Sequence, residues 1–257
     1  MSAAMALIRS LKAEARKTAG LPGVWLGAAL ALALPVLVEY YVINHNLATG
    51  LDGVGVIGLY YAGTPGIVVL AASVVLSEYV SDPCTNVDSR QVTTTMLVQP
   101  RRGAAAAAKL MVVLAAALVL LALAWAATFS LCRHLLGSRT PLGPMPWWML
   151  TGILAWWLFS AAASMALAAA TRSAMASMTA PIAMSTMISP GVLLIKSTDA
   201  ARFLPDAAAV RLIANPTTLN YDRLVELLSV PMAAAVCAAW AGGCAVACCW
   251  AWMRRDA

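Results

Sequence analysis

The sequence predicts an all-α membrane protein with six transmembrane helices, an N-terminal amphipathic helix on the membrane surface, and both termini in the cytoplasm. Of its 257 residues, 62% are hydrophobic and only 11% are charged, whereas soluble domains have roughly 45–50% apolar and about 25% charged residues. The apolar residues also gather into runs of about 20, which is the length that a helix needs to cross a hydrocarbon core of about 30 Å. A membrane β-barrel would instead show short segments of alternating polarity.

Residues 1–19 predict a helix that lies on the membrane surface. Four apolar residues share one helical face and three cations share the opposite face: Met5, Ile8, Leu11 and Ala15, against Arg9, Lys12 and Arg16. Such a helix places its cations near anionic headgroups. The following apolar run continues through Val38, so a retained first span is favoured over a cleaved signal peptide.

The predicted spans are 24–42, 56–77, 106–131, 147–170, 174–195 and 229–253. Arg172 is the only charge between Trp147 and Ile195, and it divides that stretch into two halves of spanning length. Gly63-Thr64-Pro65-Gly66 in the second span, and two prolines in the fifth, predict kinks. The chain is thus a single transmembrane domain (1–257) with a cytoplasmic loop at 78–105 and an external semi-apolar loop at 196–228, where short helices are expected.

The distribution of cations predicts the orientation. With both termini inside, eleven of the 17 Lys and Arg residues are cytoplasmic and six are external. The cytoplasmic set is Arg9, Lys12, Arg16, Lys17, Arg90, Arg101, Arg102, Lys109, Arg172, Arg254 and Arg255; the external set is Arg133, Arg139, Lys196, Arg202, Arg211 and Arg223. An excess of cations on the cytoplasmic side is the usual pattern in membrane proteins.

Several classes of function are disfavoured by missing motifs. The sequence has no His-Glu-x-x-His, no Gly-x-Ser-x-Gly and no pair of acidic residues within an apolar span, so no catalytic residues are assigned. Cys237, Cys244, Cys248 and Cys249 occupy one apolar segment without His or carboxylate, so they are interpreted as packing residues and not as metal ligands. The phosphate-binding Gly-x-x-x-x-Gly-Lys-Ser/Thr is also missing, so nucleotide-driven work would require another polypeptide.

Ion-coupled transport would ordinarily leave an ionisable residue deep in a span. The predicted span cores contain none, which favours a machine powered from outside the membrane. Glu39 lies near the outer end of the first span. Two interpretations stay open for it: an interfacial carboxylate that faces water, or a residue at an outer gate that contacts a cationic substrate.

The 78–105 loop is the most informative polar stretch. Asp82-Pro83 is a good helix start, residues 88–97 can form a short helix, and Pro100 would stop it. A short helix parallel to the membrane can transmit a push from a soluble partner to two spans. The alternative is an ordinary solvated loop.

Short motifs follow one another in a fixed order along this part of the chain: Glu78-Tyr79, Thr94-Thr95-Met96-Leu97, Pro100-Arg101-Arg102-Gly103 and Lys109. Together with the basic N-terminal helix and the six spans, they resemble the permease subunits of type 2 ATP-binding-cassette transporters, in the branch of short six-span bacterial permeases. The resemblance covers nearly the whole chain. The chain departs from the family pattern by lacking the glycine that usually follows Glu-Tyr, and residues 81–88 look inserted.

The resemblance implies a permease subunit of an exporter in the cell membrane, which moves an amphipathic peptide, drug or lipid-like substrate. Its partners would be a second permease copy or paralogue and cytoplasmic ATPase subunits that hold ATP and Mg²⁺, with no cofactor in this chain and no nucleic acid. The alternatives are a non-transporting assembly or sensor subunit, and an intramembrane enzyme.

The resemblance also implies two sets of site residues. The residues that couple to the ATPase would be Glu78, Tyr79, Asp88, Arg90, Thr94, Thr95, Arg101 and Arg102. The translocation path would include Gly63, Pro65, Met178 and Met184, and Glu39 joins it as the candidate outer-gate residue described above. For the methionines, simple packing is the competing interpretation, because Met often fills gaps between helices.

Overall fold

The computed structural model describes residues 3–45, 58–79, 102–136, 147–186, 189–195, 197–213 and 228–254. All regular structure in these ranges is helical. The α-helices are α1 (Ala3–Ala19), α2 (Pro22–Asn44), α3 (Thr64–Leu76), α4 (Arg102–Leu136), α5 (Trp147–Thr171), α6 (Ala174–Met184), α7 (Pro190–Leu194), α8 (Pro205–Ile213) and α9 (Val230–Arg254). A π-helical segment, Gly58–Ala62, precedes α3, and a 3₁₀ helix, Asp199–Phe203, precedes α8.

Five helical segments within the described ranges are long and apolar enough to cross a membrane: α2, the Leu59–Leu76 segment that includes α3, α4, α5 and α9. The prediction of an all-helical protein with several membrane-spanning helices is therefore confirmed. The six-span count and the cytoplasmic position of both termini stay predictions.

The difference in span count comes from residues 174–195, which the sequence predicts as one span. They contain α6, of 11 residues, and α7, of 5 residues. A helix of 11 residues is only about 16 Å long, roughly half of the hydrocarbon thickness. Pro190 stands at the beginning of α7, where its missing amide hydrogen costs nothing, whereas in the middle of a continuous helix it would remove a hydrogen bond.

Helices α2 and α3 touch through glycines. A Cβ atom added to Gly66 would lie 2.2 Å from the backbone nitrogen of Ala31, and one added to Gly27 would lie 2.6 Å from that of Leu70. Small residues of this kind let two membrane helices approach backbone to backbone. This contact fixes the first two spanning segments as one unit.

The entry into α3 is bound to α5 by polar contacts. The Thr64 hydroxyl donates to the carbonyl of Tyr60 (2.6 Å) and accepts from the indole Nε1 of Trp156 (3.0 Å). Trp157 Nε1 donates to the carbonyl of Leu59 (2.9 Å). At the change from π-helix to α-helix at Gly63, the Leu59 carbonyl is thus satisfied by α5 and the Tyr60 carbonyl by Thr64, as a helix break inside a bilayer requires.

The segment that precedes α9 packs against the bundle. Most of α8 is buried, and a Cβ atom added to Gly152 of α5 would lie 2.6 Å from Leu212 of α8. The buried Asp206 carboxylate accepts from the backbone N–H of Gly191 in α7 (2.5 Å). The semi-apolar character of this stretch is therefore explained by helices that are docked on α5, α7 and α9.

The close contact between α2 and α3 predicts that alanine substitutions at two helical glycines will have different effects on stability. Gly66→Ala is expected to destabilise the protein by about 1–3 kcal/mol, because its Cβ atom would overlap the backbone of α2. Gly243→Ala in α9 is the matched control, since nothing lies within 4 Å of a Cβ atom there, and alanine is the better helix former by about 1 kcal/mol. Thermal unfolding of the purified variants in detergent measures both. Equal destabilisation by the two substitutions would contradict the close α2–α3 contact.

Candidate functional site

Four charged side chains from three parts of the chain meet at one end of the bundle. Lys109 Nζ donates to Glu14 Oε2 (2.9 Å) and to Glu78 Oε1 (3.0 Å). Lys17 Nζ pairs with the same Glu78 oxygen. We call Glu14, Lys17, Glu78 and Lys109 the ion cluster. It joins α1, the turn that follows α3, and the first turns of α4.

Helix α1 contacts the ion cluster through a face that is neither its apolar face nor its cationic face. Ser10, Glu14 and Thr18 recur every four residues and are buried, so they form one stripe along the helix. Of the other α1 residues from 8 onward, most are exposed, including Ile8 at 53% and the cations at 9, 12 and 16, while Leu11 and Lys17 are half-buried. Sequence reasoning sorted this helix into an apolar and a cationic face and missed the third, docked face. The spacing of 10, 14 and 18 was the available signal.

Aromatic rings surround the ion cluster. Lys109 Nζ lies 5.4 Å from the centroid of the Trp252 ring in α9, and Trp252 makes an edge contact with Tyr79 at 6.1 Å. The guanidinium of Arg172 stands 5.0 Å from the Tyr79 ring. Arg172 has a φ of 56° in the turn between α5 and α6, a conformation uncommon for residues other than glycine. The ends of α3, α5 and α9 and the start of α4 therefore converge on Glu78 and Tyr79.

The charges of the cluster balance, with two carboxylates and two ammonium groups. Glu78 is fully buried, and the side chain of Lys109 is only 3% exposed. Burial alone would raise the pKa of the Glu78 carboxyl, but the attraction of Lys109 and Lys17 outweighs it, so this pKa lies below its ordinary value. Glu78 is consequently ionised at neutral pH.

The structure describes three of the eight residues that are predicted to couple the chain to an ATPase. Glu78 and Tyr79 lie together in the ion-cluster region, and Arg102 is the first residue of α4. Asp88, Arg90, Thr94, Thr95 and Arg101 lie outside the described residues. Because Glu78 is fully buried, its carboxylate offers no surface to a partner protein. A role for Glu78 in coupling would therefore be as a buried anchor at the start of the predicted loop.

The residues predicted to line the translocation path do not lie together in the structure. Gly63 approaches the Trp157 ring so closely that a Cβ atom would lie 2.3 Å from it, and Pro65 is in the first turn of α3. Met178 and Met184 are half-buried on α6. Glu39 sits far along α2. The structure therefore shows helix packing around Gly63 and assigns these residues to no common cluster.

Glu39 differs from the expectation of a carboxylate that faces water. It is only 2% exposed, and Cys132 Sγ of α4 lies 3.7 Å from its Oε1 as a donor. Helices α2 and α4 pack against each other here and remove the carboxylate from solvent. Glu39 lies near the C-terminal end of α2 and Lys109 about two turns into α4, so both buried ionisable side chains stand toward the ends of spanning helices and not in their cores.

Within the described ranges, no three His, Cys, Asp or Glu side chains come close enough together to hold a metal ion. Comparison with known proteins gives the chain no family. No family model, curated protein or solved structure matches it. Its function is therefore inferred from the contacts of the ion cluster and from the order of motifs along the sequence.

Removal of the Lys109 charge is expected to be strongly destabilising. Lys109→Met would leave Glu14 and Glu78 buried near each other with only Lys17 to neutralise them, and stranding a buried charge costs about 3–5 kcal/mol. Lys12→Met, on the exposed surface of α1, is the matched control and should change stability by less than about 0.5 kcal/mol. Thermal unfolding in nanodiscs compares the two. Similar midpoints for both variants would contradict the burial of the cluster.

The lowered pKa of Glu78 predicts an acid-sensitive contribution to stability. A carboxyl whose pKa is lower in the folded state stabilises the fold above its unfolded value, near 4.5, and loses this contribution as the pH falls through the folded value. The wild type should therefore be more stable than Glu78→Gln at pH 7, and the difference should shrink below about pH 4.5. Unfolding midpoints from pH 3 to pH 8 test this. A difference that grows on acidification would show the opposite sign of shift.

Proposed function

We propose that the chain is the membrane-spanning subunit of an ATP-binding-cassette exporter in the cell membrane, driven by ATP hydrolysis on a separate cytoplasmic subunit. Its cargo would be an amphipathic peptide, drug or lipid-like compound, and a second permease copy or paralogue would complete the complex. The order of motifs from Glu78-Tyr79 to Lys109 supports this assignment.

One structural observation carries the proposal. Glu78, which follows α3, and Lys109, about two turns into α4, stand on either side of the predicted cytoplasmic loop, 31 positions apart in sequence, and share a hydrogen bond of 3.0 Å. The described residues on both sides of the predicted loop are thus tied to one point in the bundle. A force applied to the loop by a soluble partner would reach α1, α3 and α4 together through this point.

The aromatic contacts extend the same path to other helices. Tyr79 touches Trp252 of α9 and lies beneath Arg172 at the turn between α5 and α6. A displacement of Glu78-Tyr79 would therefore act on α5 and α9 as well. Packed interfaces respond to such displacements by switching between discrete arrangements, which suits a transporter that alternates between two states.

The decisive experiment is affinity purification of the tagged chain from its native membrane, followed by mass spectrometry. We expect an ATP-binding-cassette ATPase to co-purify at a fixed ratio, and the complex to hydrolyse ATP in nanodiscs. Recovery of other membrane proteins without an ATPase would instead favour the assembly or sensor alternative. Hydrolysis of a lipid or peptide bond by the chain alone would favour the enzyme alternative.

Charge reversal in the loop tests the junction itself. Arg90→Glu is expected to reduce the co-purified ATPase, or its hydrolysis in the complex, at least tenfold without lowering the unfolding midpoint of the chain. Arg133→Glu, at the exposed end of α4, is the control and should leave both unchanged. Glu78→Lys should also abolish coupling, but it disrupts the buried cluster too, so Arg90 separates coupling from folding. An unchanged complex with Arg90→Glu would reject the loop as the junction.

A further inference from the structure

We propose that the ion cluster is a separable latch that divides into two neutral pairs, Glu14 with Lys109 and Lys17 with Glu78. When it divides, the segment after α3 moves together with the ammonium of Lys17, while α1 stays docked on α4. The latch is built from residues of this chain alone and does not require an ATPase partner.

The first pair is the fixed one. Lys109 Nζ and Glu14 Oε2 are 2.9 Å apart, and their side chains are 3% and 5% exposed. Lys109 is held in α4 and Glu14 in α1, both in regular helix. This contact alone neutralises Lys109, so the lysine does not need Glu78 in order to stay buried.

The second pair is the mobile one. Lys17 Nζ and Lys109 Nζ contact the same oxygen, Oε1 of Glu78. The side chain of Lys17 is 27% exposed, and it stands in the last turn of α1, just before the turn at Gly20. A lysine has a long flexible stem, so its ammonium can follow a displaced carboxylate. Glu78 itself lies in a turn beyond the end of α3.

Division of the cluster into two neutral pairs avoids the free-energy cost of a buried charge without a partner. Withdrawal of a buried carboxylate from its only cation would strand that cation, which is strongly unfavourable in a dry environment. Here Glu78 leaves with one cation and Lys109 keeps one anion, so every described member of the cluster remains paired. Lys109 also retains its contact with the Trp252 ring, which stabilises an ammonium. A single pair between Glu78 and Lys109 would lack this property.

Two double variants, each of which removes one neutral pair, test the latch in the full chain in nanodiscs. Glu14→Gln/Lys109→Met should release α1, so the amides of residues 8–14 should exchange hydrogen at least tenfold faster while those of 77–79 change less. Lys17→Met/Glu78→Gln should do the reverse, with faster exchange at 77–79 and little change at 8–14. Identical exchange patterns in the two variants would overturn the proposal, since the charges would then act as one inseparable unit.

The midpoints of thermal unfolding provide a second test, which remains informative if a variant is too unstable for hydrogen exchange. Each double variant removes a neutral pair, so its midpoint should lie above that of the single variant Lys109→Met or Glu78→Gln, which leaves unequal charges. If either double variant is less stable than its single counterpart, the proposed pairing is wrong. The exposed pair of substitutions Lys12→Met/Arg16→Met on α1 serves as the control and should alter neither the exchange pattern nor the midpoint.

Discussion

A buried ammonium group organises this end of the molecule. Lys109 lies about two turns into α4, a helix that is otherwise almost wholly apolar, and a charge at that position is tolerated only with anionic partners. The need for those partners brings α1 and the turn after α3 to the same place. The N-terminal helix is therefore held on the bundle by ion pairs, while much of its remaining surface is exposed.

The centre of the bundle is held together by close packing and hydrogen bonds, in contrast to the ion pairs of the cluster. Gly27 and Gly66 bring α2 and α3 into backbone contact. Two side chains of α5 satisfy carbonyls of the second spanning segment, Trp157 that of Leu59 and Ser164 that of Val68 (3.1 Å). Neither feature involves charge. Motion that begins at the ion cluster would thus act on a tightly packed pair of helices, which transmit displacement as a unit because close-packed interiors deform little.

Membrane residence, helical structure and most helix positions were predictable, because run length and composition are local properties of the sequence. The end of α6 at Met184, within the predicted fifth span, was not. Residues 174–195 are apolar throughout, and their prolines predicted a kink, but whether a helix bends or stops depends on what packs beside it. Asp206, fifteen residues beyond Gly191, binds the start of α7, and nothing in the local pattern indicates that contact.

The sequence by itself determined that the chain is helical, that it enters the membrane repeatedly, and that Glu78, Tyr79 and Lys109 flank a polar stretch, because these conclusions need only short stretches of residues. Only the tertiary structure decided that Glu14 and Lys17 complete a cluster with Glu78 and Lys109, and that Glu39 is buried against Cys132. The contacts within the cluster and between Glu39 and Cys132 join residues between 31 and 95 positions apart in sequence. Contacts over such distances follow from how the helices pack, and no periodicity within one helix records them.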